Sequence, residues 1–200
     1  MLCERGGDNV PPMKKISRDS ILETAYEITR KEGFENINAR RIARELNCSV
    51  QPIFHNFVNM DELKQAVKDK IHETYKSYLM KGHSEKNSYK GMGLAYIKFA
   101  KDYPEFFKLI FMTSVDVPPE KFIVSDCVGD STIKSGQKFS RLSYEEQTKF
   151  HVKIWIFTHG LATLVATKTA TFTDEEISRL LGEAASALLE GHKTNEKERK

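Results

Sequence analysis

Gln51, His55 and Asn56 place two carboxamides and an imidazole within one short stretch of chain. No carboxylate stands at a fixed spacing from them, so the chemistry they offer is hydrogen bonding and not bond breaking. A carboxamide presents a donor and an acceptor side by side, which matches the N6/N7 edge of adenine in the major groove of a duplex. Val50, Pro52 and Phe54 are interleaved with these polar groups, and Ser49 precedes them. Lys14, Lys15 and Arg40 add cations. With Ser49 and the free N–H groups of a helix start, they suit phosphate oxygens. The expected nucleic-acid surface is therefore Lys14, Lys15, Arg40, Ser49, Val50, Gln51, Pro52, Phe54, His55 and Asn56.

Such a surface needs a helix held outward from a core. The segment from Asn38 to Phe57, NARRIARELNCSVQPIFHNF, reads as two short helices around a tight turn. Asn38 is placed to cap the first, whose Ile42, Ala43 and Leu46 share one face. Asn47-Cys48 supplies the turn and Ser49 the next cap, with Ile53 and Phe57 directed back to the core. Pro52 falls in the first turn, where its missing N–H breaks no helical bond. Upstream, SRDSILETAYEITRKEGFENI is an amphipathic helix stopped by Gly33, with Ile21, Leu22, Ala25 and Ile28 on one face. Downstream, Asn59 and Glu62 open a further helix as a capping box. Its stripe of Leu63, Val67, Ile71, Tyr75 and Tyr78 runs to about Lys81, and Gly82 is expected to end it. This is a helix-turn-helix followed by a linking helix.

Spacing and residue type together carry the pattern further. The run Arg18-xx-Ile21-Leu22-xx-Ala25, then Gly33-Phe34, Arg41-Ile42-Ala43, Ser49-xxx-Ile53-Phe54-xx-Phe57 and Asp61-Glu62-Leu63 resembles the N-terminal domain of the TetR family of transcriptional repressors. The resemblance covers residues 14–70. It implies a homodimer that occupies a pseudo-palindromic double-stranded operator and is released by a small-molecule effector. Four positions depart from the family pattern. Phe54 stands where the family has a tyrosine on a phosphate, and Met60 where it has a lysine. Asn56 replaces a histidine and Gln51 a glycine. Each lost phosphate contact weakens sequence-independent binding. The competing reading is a dimeric protein of the same fold that binds a ligand or a protein partner, with DNA recognition weakened or lost.

From Ser88 onward the pattern stays helical. Ser88 to Tyr103 is one helix, Pro104 starts a short one over EFFKLIFM, and Thr113 to Leu142 is irregular apart from a short helix at Glu120 to Cys127. Capping boxes at Ser143/Glu146 and Thr173/Glu176 open the last two helices, 143–169 and 173–191. The first of these is apolar nearly all round, so it requires cover on several sides. The second carries a small-residue stripe of Gly182, Ala185 and Ser186 with Leu189. The pair suits self-association, the role the last two helices have in the resembled family. Trp155-xxx-His159-Gly160, with YPEFFKLIFM, is similar to the C-terminal domain type named for its Trp-His-Gly motif. Two readings fit the aromatic residues Tyr78, Tyr96, Phe99, Phe111, Phe122, Trp155 and His159. They line a pocket for a small lipophilic or aromatic effector, or they form a buried core around a hydrogen-bonded histidine.

The expected fold class is all-α, a three-helix DNA-binding domain plus a helical effector-binding and dimerisation domain. Its divisions are a disordered arm over 1–13, the helix-turn-helix domain over 14–60, the helical domain over 61–192 and a charged tail over 193–200. Met13 offers a second start. Net charge is +3 in 200 residues, so the placement of cations matters more than their number. An enzyme is not expected: HExxH, GxSxG, P-loop and GxGxxG motifs are absent. His151 and His159 lie about 12 Å apart along one helix, too far to share a metal. No metal or cofactor is expected. Cys3, Cys48 and Cys127 show no CxxC spacing, and neither a signal peptide nor a run of about 18 apolar residues is present. The expected location is the cytoplasm, with no membrane partner.

Overall fold

Ser17 opens the first helix through a full capping box with Ser20. That helix, α1 (Arg18–Glu32), ends at Gly33, whose φ of 98° lies in a region that side-chain-bearing residues avoid. A single 3-10 turn, Phe34–Asn36, leads to α2 (Ala39–Glu45), capped by the Asn38 side chain on the Arg41 N–H. Helices α3 (Gln51–Asn56), α4 (Met60–His83), α5 (Ser88–Asp102) and α6 (Pro104–Phe111) follow. The chain closes with α7 (Tyr144–Ala166) and α8 (Asp174–Glu198). The computed structural model describes residues 16–113 and 143–198, with side chains through Gly191 in α8. Lys14, Lys15, Phe122, the arm over 1–13 and the helix expected at 120–127 lie outside the described residues. Within them the fold is all-helical, and no helix is long and apolar enough to cross a membrane.

The turn between α2 and α3 is a Schellman closure. Asn47 takes φ 50°, its N–H reaches the Arg44 carbonyl, and the Cys48 N–H reaches back to Ala43 at 2.9 Å. Asparagine tolerates this left-handed position better than branched residues do. The expected cap at Ser49 does not form. Helix α3 begins one residue later than the sequence implied, with Val50 at its cap position and no side-chain cap.

One hydrophobic core runs from the N-terminal domain into the C-terminal one. Ile21, Ala25 and Ile28 of α1 pack with Ile42, Ile53, Phe57, Leu63 and Val67. The same cluster continues along α4 through Ile71 and Tyr75 to Tyr96, Phe99, Phe106 and Leu161. Helix α4 is strapped to α1 at successive levels. Arg18 pairs with Glu62 at 2.8 Å, Lys70 pairs with Glu23, and Tyr26 Oη meets Thr74 Oγ1 at 2.9 Å.

Gly82 does not end α4, which continues to His83. It is buried against Gly91 of α5: a Cβ built on Gly82 would lie 2.4 Å from the Gly91 carbonyl oxygen, and one on Gly91 only 2.2 Å from that of Gly82. The two helices touch backbone to backbone there, which needs glycine on both sides. Helix α7 packs on α5 and α8, yet Ile156 stays 58 % exposed, with Phe157 and Leu164 also on the outer side. The apolar ring read from the sequence is thus only partly covered within one chain.

Candidate nucleic-acid interface and aromatic cluster

Helix α3 is fixed from beneath by Ile53 and Phe57, both essentially buried. Burying such side chains contributes about 1.5–3 kcal/mol each. Its far end is clamped by Arg18. That guanidinium lies 3.9 Å over the Phe57 ring, donates to the Asn56 carbonyl and pairs with Glu62. Glu62 also accepts the Val58 N–H, and these two partners, Val58 first, hold its carboxyl below the usual carboxylate range. Arg18 thus ties the end of α3 to the start of α4. The sequence signal for it was position alone, because its partners lie about forty residues away.

With one face buried, α3 shows Val50, Gln51, Phe54 and His55 to solvent. Asn56 is turned away from that surface: its Nδ2 donates to the Pro52 carbonyl at 2.8 Å and the side chain is half-buried. Pro52 is half-buried as well, and Ser49 is exposed ahead of the helix. Arg40 is exposed and forms no ion pair among the described residues. Arg41 pairs with Glu32 at 2.6 Å and also with Glu45. It joins α2 to the end of α1, and it draws the Glu32 carboxyl down. Met60 is partly buried and packs on the core.

The aromatic residues divide into two groups around Tyr75. On one side, His159 stacks on Trp155 with ring centroids 4.7 Å apart and planes within 7°. Its Nδ1 shares a 2.9 Å hydrogen bond with Tyr96 Oη, and Phe107 and Phe111 close over it. On the other side, Phe99 and Tyr78 pack together, and Tyr78 Oη donates to Asp102 at 2.8 Å. The sequence did not single out Phe107, although its place in EFFKLIFM put it one turn from Phe111. A second pair of the same kind lies farther along α7, where Tyr89 Oη and His151 Nδ1 meet at 3.0 Å. Histidines eight residues apart on α7 thus meet tyrosines seven apart on α5, which fixes the register of the two helices.

Burial disfavours the charged imidazole and pushes His151 down to about 4, and His159 moves in the same direction. The unfolded chain takes up a proton near pH 6.5 while the native one resists it. The stability from neutral His151 is therefore fully present above pH 6.5 and is lost as pH falls toward 4. We expect chemical denaturation to show a loss on the order of 1 kcal/mol per pH unit across that window. His151→Gln should flatten the slope. An unchanged slope in that variant would place its origin elsewhere.

Residues 21–67 match the family model described as bacterial regulatory proteins, tetR family. No curated protein matches the chain. The fold is similar to a TetR-like transcriptional regulator from Rhodococcus sp. RHA1, with a TM-score of 0.63 and 13% identity. That comparison covers 92% of this chain and 100% of the other. A second transcriptional regulator from the same Rhodococcus strain gives a TM-score of 0.58 at 12% identity, over 88% of this chain and 97% of the other.

Proposed function

We infer that this chain is a TetR-family transcriptional regulator that binds an operator as a homodimer and answers to a small effector. The observation that carries the reading is α3 itself. It is a short helix anchored by Ile53 and Phe57, clamped by Arg18, and left with Gln51 and His55 pointing outward beside Val50 and Phe54. Gln51 reads adenine through paired hydrogen bonds and His55 reads a neighbouring base edge. Arg40, with Lys14 and Lys15 ahead of α1, holds phosphates. Repression follows from occupying the operator.

Dimerisation is supported by the outer side of α7. Ile156, Phe157 and Leu164 recur there at helical spacing, and a Cβ on Gly160 or on Gly182 of α8 would meet nothing within 4 Å. An apolar stripe beside open glycines suits close packing of a second copy, and a two-fold pair presents two recognition helices roughly 34 Å apart. The effector is a lipophilic or aromatic molecule that enters beside Tyr96, Phe107, Phe111, Trp155 and His159, in a C-terminal half of the Trp-His-Gly type. It acts by favouring the spacing that does not fit DNA. Helix α6 links the two events, since Phe107 touches His159 while Phe106 touches Tyr26 of α1.

The test is selection of genomic fragments by the purified protein at moderate, fixed salt. Enrichment of a short inverted repeat is expected. Gln51→Ala and His55→Ala should each weaken specific binding by about 1–3 kcal/mol with non-specific affinity retained. Flat recovery from a folded dimer would transfer the reading to a ligand- or partner-binding protein that has lost operator recognition.

A further inference from the structure

We propose that Phe54 and Val50 read the C5-methyl groups of thymine, so that the operator half-site holds thymines at the positions facing them. The inference rests on the DNA-binding reading above and specifies what α3 recognises. Phe54 is 47 % exposed and Val50 39 %, one helical turn apart, on the flank between the buried side of Ile53 and Phe57 and the outward side of Gln51 and His55. Phe54 joins no aromatic pair among the described residues, so its ring is not part of the core. The two apolar side chains flank Gln51 and His55, on the surface that faces the bases.

Neither side chain can hydrogen-bond, so neither can hold a phosphate or a polar base edge. The apolar group that unmodified duplex DNA displays on its major-groove edge is the thymine methyl. The neighbouring carboxamide points to the same base pair type. Gln51 pairs with adenine N6/N7, and adenine brings thymine with it on the opposite strand. The polar and apolar halves of this surface therefore ask for one composition, A·T pairs. The Asn56 amide is taken up by the Pro52 carbonyl, which leaves Gln51 as the exposed carboxamide of α3, beside Phe54 and Val50.

Uracil tests this directly, since it removes the C5-methyl and leaves every hydrogen-bonding group of thymine in place. Synthetic operator duplexes carrying uracil at one thymine at a time are titrated with the full-length protein at fixed salt. At one or two positions per half-site, uracil should weaken binding about fourfold, the worth of one buried methyl. Phe54→Ala or Val50→Ala should bind the thymine operator less well and lose the uracil effect at its own position. Both side chains are exposed, so the variants keep the fold, which circular dichroism verifies. Equal affinity for thymine and uracil operators overturns the proposal. A uracil effect that persists in both variants overturns it too, as does sensitivity to cytosine methylation in place of uracil. If the genomic selection yields no operator, the regulator reading itself has failed, a result distinct from these.

Discussion

Phe106→Ala is expected to cost about 3–5 kcal/mol of stability, the range for removing a fully buried aromatic ring. Phe106 is completely buried, stacked parallel on Tyr103 at 5.1 Å and set 4.8 Å from Tyr26. Tyr26 belongs to α1, so this ring joins the C-terminal helices to the N-terminal helix-turn-helix domain. Its neighbours are anchored elsewhere: Tyr26 by Thr74 and by the Lys70 ammonium over its ring, Tyr103 by Tyr78 and Phe99. They cannot collapse freely into the space, which places the loss in the upper part of that range. Total stability of a domain is only about 5–15 kcal/mol, so the variant should unfold at far lower denaturant. Denaturation of variant and parent at one protein concentration measures it, since a dimer's midpoint depends on concentration. A loss below 1 kcal/mol would mean that α6 and α1 are not joined through this ring.

With α7 as the interface of the proposed homodimer, Phe157→Glu is expected to leave the chain monomeric. In a two-fold interface every residue occurs twice, so a hot-spot loss of about 2 kcal/mol per copy weakens association roughly a thousandfold. The glutamate adds a charge that the apolar neighbours Ile156 and Leu164 cannot pair. Phe157 is partly exposed in one chain, so the fold of that chain should survive the change. Sedimentation at micromolar concentration would show the halved mass. Operator affinity should fall with it, because two linked half-site contacts become one. A variant that stays dimeric would place the interface on another face.

Helix α3 and its exposed side were legible because their information is local. Ile53 and Phe57 set the buried face, and Pro52 and the turn at Asn47 set the start. The linking helix and the closing pair were legible for the same reason, from periodicity and from capping boxes that form at Ser143 and Thr173. What failed was of two kinds. At Ser49 and Gly82 the residue type suggested a boundary that the structure puts elsewhere: Val50 takes the cap position, and Gly82 serves a helix crossing inside α4. Elsewhere the partner is remote in sequence. Arg18 with Asn56 and Glu62, Arg41 with Glu32, and Tyr96 with His159 depend on how helices are juxtaposed, which periodicity does not encode. The amide of Asn56 looked available for a base because nothing nearby in sequence announced its return to the Pro52 carbonyl.

The glycine crossing makes α4 a lever. Backbone contact at Gly82 and Gly91 leaves no side chain to yield there, so the crossing is a fulcrum. The straps to α1 at Glu62, Lys70 and Thr74 lie on the long arm and tie the N-terminal helices to it. From Gly82 to Glu62 that arm is about 30 Å at 1.5 Å per residue. A swing of about 4° about that point would carry the α3 end some 2 Å. Motion too small to disturb packing near the fulcrum is thereby magnified at the far end to the scale of a hydrogen bond's length.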